Sequence, residues 1–214
     1  MATTRQEPSA DPLPGVERRQ RADAARNRER VLGAASVLFR ERGLDVGVGE
    51  IAERAGVGRA TLFRNFPTKQ DLIIAVLADQ IDQAADDMRA RIRNAGDQGV
   101  LFGILEEIAE RQEMSRSMFE AVGEQEFLAN PELRKAHTEL VELMDESLNH
   151  DRKLGLVRDG VTGSDALMLL KGVCMVSDEL GPESMERHLS LVRAALAAPG
   201  TECRLTGCAP SFER

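Results

Sequence analysis

Between Gly47 and Lys69 the chain gathers the residues whose types and spacing can do something specific. Ile51, Ala52, Gly56, Val57 and Leu62 share one geometric job. Two helices joined by a tight turn need a small residue where they cross (Ala52) and a glycine where the turn takes positive φ (Gly56). They also need apolar residues on their common inner side (Ile51, Val57, Leu62). Around this frame Arg59, Arg64 and Lys69 supply cations, so the chemistry on offer is non-covalent recognition of an anionic partner. Covalent chemistry finds no support. No motif brings a nucleophile, a histidine and a carboxylate together, no Gly-rich phosphate loop follows a strand, and neither HExxH nor CxxC occurs. Cys174, Cys203 and Cys208, like His137, His150 and His188, stand at no established metal or disulfide spacing. The expectation is a protein that is not an enzyme, with ordinary thiols, no metal and no cofactor.

Charge sharpens that reading. The net charge of −8 over 214 residues argues by itself against a polyanionic partner. The average conceals an asymmetry: residues 1–70 hold 13 Lys and Arg against 9 Asp and Glu, while residues 71–214 hold 15 against 27. A basic head on an acidic body is expected when only one end meets phosphates. Hydrophobic residues at 42% and charged ones at 30% are the composition of a folded globular chain. No apolar run approaches the roughly 20 residues of a membrane span, and Met1–Gly15 lacks the apolar segment of a signal peptide, so no membrane and a cytoplasmic location are expected.

The elements that must position these residues read as helices throughout, with no period-two alternation. Residues 1–22, rich in proline and charge, read as a disordered arm. From Asp23 to Arg42, Val31, Ala34, Ala35, Leu38 and Phe39 form one stripe, and Gly43 can end the helix. Short helices follow over Val48–Ala55 and Arg59–Phe66, closed by Pro67. Thr68, with Asp71 three residues on, starts a long helix running to about Ala95. Further helices are expected near Val100–Glu113, Arg116–Val122, Pro131–Leu154, Ser164–Leu180 and Glu183–Ala198, two of them opened by Asn130-Pro131 and Gly181-Pro182. Residues 199–214 read as a flexible tail.

The stretch Arg30–Gln80 resembles the DNA-binding region of the TetR family, most tellingly in the run AGVGRATLFRNFPTK. Leu154–Val173 (LGLVRDGVTGSDALMLLKGV) is similar to the connection before that family's last two helices. The resemblance implies an all-α protein: a three-helix helix-turn-helix domain over 23–70 and a helical ligand-binding and dimerisation domain over 71–198. It also implies a homodimer on double-stranded operator DNA, released as a repressor by an unidentified small-molecule effector. Matched by position, Arg59, Ala60 and Thr61 fall where the family's recognition helix meets base edges and nearby phosphates, and Phe63, Arg64 and Asn65 where it meets backbone or flanking bases. The side chains suit this: arginine offers a fork of donors to guanine, alanine a contact to the thymine methyl, and a second arginine a cation to phosphate. Lys69 matches a phosphate-contacting lysine. Three positions depart. Gly47 and Gly58 stand where the family usually has Thr and often has Ser as helix caps, and Phe63 replaces a phosphate-touching Tyr.

In the acidic part, Ala166–Val176 is apolar nearly all round apart from Lys171, and Met185, Leu189, Val192 and Leu196 repeat at helical spacing. Leu167, Leu170, Cys174, Met185, Leu189, Val192 and Leu196 are therefore the expected dimer face. Soft, adaptable side chains suited to a variable pocket are Phe102, Met114, Met118, Phe119, Phe127, Met144 and Met168, with His137 as a polar orienter. The alternatives are a helix-turn-helix regulator controlled by a protein partner, and a cryptic enzyme.

Overall fold

In the computed structural model, residues 14–110, 112–180, 182–203 and 205–206 are described, side chains excepted at 14–21, 108, 110, 112–116, 124, 174–180 and 182–183. Among the described residues ten helical segments follow one another: α1 (Pro14–Arg42), α2 (Val48–Ala55), α3 (Arg59–Asn65), α4 (Lys69–Arg93), α5 (Leu101–Glu110), α6 (Gln112–Val122), α7 (Glu124–Ala129), α8 (Pro131–Lys153), α9 (Gly163–Leu180) and α10 (Pro182–Leu196). Among the described residues none is long and apolar enough to cross a membrane.

Helix α1 starts nine residues ahead of the expected Asp23. Its first turns are polar, so no apolar stripe announces them. Yet Pro14 suits the first helical position, and Arg, Glu, Gln and Ala extend a helix at little cost once its later turns are anchored. Of the arm expected over 1–22, residues 1–13 lie outside the described residues, and the rest is helix.

Helix α4 opens on the expected capping box. The Asp71 amide donates to Thr68 Oγ1 at 3.0 Å, and the Thr68 amide donates to Asp71 Oδ2 at 2.9 Å. Its 25 residues make a rod of about 37 Å. Beyond Val122 the chain adds α7, which no periodicity predicted. Six residues cannot display a 3.6-residue repeat. Helix α7 instead depends on Gly123, at φ 77°, to turn the chain, and on Phe127 packing against the neighbouring core. Asn130 then caps α8, its Oδ1 accepting from the amides of Glu132 and Leu133 at 3.0 and 3.1 Å.

Two apolar cores result. The first joins α1, α2, α3 and the first half of α4 (Leu72–Ile81), and it also takes in Met118 and Val122 of α6 and Leu133 and Ala136 of α8. The packing therefore runs across residue 70, and the head does not have a core of its own. The second core is built from the far half of α4 with α5, α8, α9 and α10. It is pinned by Asp151, fully buried, whose carboxylate accepts from the amides of Val100 and Leu101 at 2.9–3.1 Å and so caps α5 from α8. Buried polar groups must find partners, and this carboxylate meets two of the amides that a helix start leaves open. At the α8–α9 crossing, Gly163 donates to Asp145 Oδ1 at 2.5 Å, and a Cβ there would stand 2.5 Å from the Val141 carbonyl oxygen.

Candidate nucleic-acid interface

The turn between α2 and α3 is set by Gly56, at φ 61° and ψ 37°. Only glycine takes this left-handed conformation without penalty, and Val57 completes the closure by donating to the Ala52 carbonyl at 3.0 Å. A second constraint comes from outside the motif. Arg30 of α1 donates to the Gly56 carbonyl at 3.2 Å, and its guanidinium fills the space a Cβ at 56 would need. Of the residues expected on the shared inner side, Ile51, Ala52 and Leu62 are buried beneath the turn and Val57 is half-buried, and Ala55 and Phe66 are buried with them. Ion pairs Arg42–Glu50 and Arg54–Glu41 tie α2 to the end of α1. The Arg42 guanidinium, hydrogen-bonded to Glu50, holds that carboxyl below its ordinary range.

The outward face carries the recognition candidates. Arg59, Ala60, Phe63 and Arg64 are exposed, and Thr61, Asn65 and Lys69 are half-buried. Asn65 spends a donor on its own helix, bonding the Thr61 carbonyl at 2.8 Å. The cations divide into two groups. Arg28 pairs with Glu132 at 3.3 Å and lies 4.9 Å over the Phe66 ring, Arg30 is bound to Gly56, and Arg42 and Arg54 are in the ion pairs above. Among the described residues Arg59, Arg64 and Lys69 have no ion pair. Arg40, exposed near the end of α1, is likewise without an ion pair among the described residues, and the other three stand on α3 and the first turn of α4. Gly47 and Gly58 have the extended backbone of N-caps, at φ −72° and −69°, but no side chain to accept from the helix amides. Phe63 presents a ring that is 47% exposed and has no hydroxyl.

Sequence reasoning missed three residues here. Arg30 gave no signal, because its partner is a carbonyl distant in the chain. Gln70, on the first turn of α4, donates to the Ala121 carbonyl at 3.1 Å and so links the start of α4 to the end of α6. Gly49 stands inside α2, where a glycine is costly, and that cost was the available signal.

The pocket candidates do not converge. Met118 is fully buried in the first core and Met144 in the second, Phe102 is half-buried on the second beneath Arg193, and Met168 is 65% exposed on α9. The Met114 side chain lies outside the described residues. Phe119, Phe127 and His137 do meet through their rings. The two phenyl centroids are 5.1 Å apart, and the His137 ring stands edge-on to Phe127 at 5.7 Å. Partial burial and then the Lys171 charge lower the His137 pKa below its ordinary 6.5. An open groove of about 440 Å³ runs between the end of α4 and α8 beside Ile92, Glu142, Asp145 and His150. It includes none of the pocket candidates.

The dimer candidates also divide. Leu170, Val192 and Leu196 are buried in the chain's own second core, so they offer a partner no surface. Leu167, Met185 and Leu189 are half-buried, and the Cys174 side chain lies outside the described residues. Among the described side chains, the exposed apolar residues of α9 and α10 are Met168, Leu191, Ala194 and Ala195. A helical repeat shows that residues share a stripe but not whether that stripe faces inward.

A helix-turn-helix head with its free cations turned outward, on a body of helices, defines a DNA-binding transcription regulator. Residues 31–76 match the model of bacterial regulatory proteins of the tetR family. A TetR transcription regulatory protein from Mycobacterium vanbaalenii is 31% identical, with 84% of this chain and 99% of that one superposed at a TM-score of 0.63. The chain belongs to the TetR family. A TetR transcriptional regulator of Streptomyces coelicolor, 24% identical, shares the fold over 81% of this chain and 99% of its own at a TM-score of 0.60. The HTH-type transcriptional activator FasR of Mycolicibacterium smegmatis is 36% identical over 87 residues, 40% of either chain. The sequence match thus spans well under half the length of that relative.

Proposed function

We propose that the protein is a homodimer that reads a two-fold operator through α3 and is released from it, as a repressor, by a small molecule bound among the C-terminal helices. The observation that carries the DNA half is the set of cations without an ion pair on α3 and the first turn of α4, Arg59, Arg64 and Lys69, beside Arg28, Arg30, Arg42 and Arg54, which are held by partners within the chain. In this reading Arg59 meets a guanine edge, Ala60 and Thr61 the adjacent bases, and Phe63, Arg64, Asn65 and Lys69 the backbone. Gly47 and Gly58 leave two helix starts whose amides can approach phosphates but add no hydroxyl. The dimer half is supported by the outward apolar stripe of Met168 and Leu191. Two heads related by a two-fold would meet half-sites about 34–36 Å apart.

Control by a ligand has a physical route through Gln70, Met118 and Val122, which join α6 to the start of α4. A tilt of roughly 5° in a rod of about 37 Å moves its end by about 3 Å, enough to disturb half-site spacing. A ligand that prefers the tilted state by ~1–3 kcal/mol would change operator affinity about 5–150-fold.

The test begins with an operator selected from random duplexes. Arg59→Ala should relax preference at one base position at a cost of about 1–3 kcal/mol, while Lys69→Ala should weaken all sequences alike and lower the salt slope by about 1 per subunit. Equal loss on operator and random DNA for Arg59→Ala would contradict base reading. A monomer in sedimentation at micromolar concentration would remove the dimer, and a thermal-shift screen of lipophilic compounds that finds no stabilising ligand would favour control by a protein partner.

A further inference from the structure

Gly49 sits in the first turn of α2, with no positive φ to require a glycine and a helix that would prefer almost any other residue. What a side chain there would meet comes from a different helix. A Cβ on residue 49 would stand 3.0 Å from Cζ and 3.1 Å from Nε of Arg59, with the η2 nitrogen closer still. Its three nearest neighbours are all atoms of one guanidinium. Gly33 and Gly172, also inside helices, have nothing within 4 Å, while Gly103 of α5 faces the Arg91 guanidinium of α4 in the same way, outside the helix-turn-helix. The long side chain of the first residue of α3 therefore lies back across the start of α2, on a strip of backbone left bare by the missing Cβ.

We propose that Gly49 is a specificity-determining residue: it touches no base, but it sets the position and tilt from which the Arg59 guanidinium meets DNA. This rests on the reading of Arg59 as a DNA contact given above. Guanine is recognised through two parallel N–H bonds, so the plane and height of the guanidinium decide whether both can form. A methyl at 49 lifts the group off its shelf. The backbone of α2 need not move, because the clashing atoms are the far end of a flexible side chain. The position thus acts on Arg59 and not on the fold.

The test is a double-mutant cycle in the full-length protein: Gly49→Ala, Arg59→Ala and the pair, each titrated by fluorescence anisotropy against the selected operator and its single-base variants, with melting temperatures alongside. Alanine is the better helix former, so Gly49→Ala should melt no lower than the parent. Its discrimination at the Arg59 base position should nevertheless fall about fivefold or more, the lower end of what a bidentate pair contributes. In the Arg59→Ala background the same substitution should change discrimination less than about twofold, since coupled residues are non-additive. Unchanged discrimination in Gly49→Ala, or the same loss in both backgrounds, overturns the proposal. So does a lower melting temperature with equal loss on operator and random DNA, which assigns Gly49 a packing role. The reading of Arg59 fails separately, if Arg59→Ala alone leaves base preference intact.

Discussion

Met118→Ala tests how the head is joined to the body. The Met118 side chain is fully buried in the core formed by α1–α4, although it belongs to α6. Truncating a buried methionine to alanine costs about 2–5 kcal/mol, the spread reflecting how far the surroundings collapse into the gap. Helices α4 and α6 are each held by several neighbours, which limits collapse into the gap, so we expect the middle of that range, about 3–4 kcal/mol. Urea denaturation at fixed protomer concentration should show the midpoint falling with the m-value unchanged. Leu128→Ala, at a residue 60% exposed, should stay within about 0.5 kcal/mol. Operator affinity in Met118→Ala should also fall, because the seam that steadies Gln70 and the first turn of α4 is loosened. A loss below about 1 kcal/mol with an unchanged m-value would refute the argument, for Met118 would then border solvent or a pocket and not seal a shared core.

Other measurements probe separate links. Gly58→Ser and Gly47→Thr should each stabilise the protein by a few tenths of a kcal/mol, because both backbones have N-cap geometry and a Cβ has no contact closer than 3.5 Å; unaltered thermal midpoints would refute the capping argument. Phe63→Tyr should tighten operator binding by roughly 0.5–1.5 kcal/mol per subunit if the ring meets a phosphate, and no gain with the fold intact would mean a different docking pose. Asp151→Ala should cost about 2–5 kcal/mol, since it leaves the Val100 and Leu101 amides buried without an acceptor; a small effect in thermal melts would mean water reaches them. The pKa of His137 is lowered on folding, so below 6.5 the unfolded chain binds more protons and stability falls as pH drops. His137→Gln should flatten the stability–pH curve below 6.5, and an unchanged slope would refute that assignment.

What the sequence by itself determined is everything governed by neighbours a few positions apart. The Thr68–Asp71 box, the Asn130-Pro131 start, the Gly56 turn and the limits of α2 need only local hydrogen bonds and backbone preference, so they are legible in order along the chain. The AGVGRATLFRNFPTK run added the family, because its geometry and its partner demand those residues in that register. The tertiary structure alone decided which way each stripe faces and what lies opposite it. Leu170, Val192 and Leu196 point into their own core, Met118 seals the head, and the bare strip at Gly49 has meaning only once Arg59 lies across it. Periodicity specifies that residues share a side of a helix, whereas burial depends on helices distant in the chain, whose approach no local pattern records.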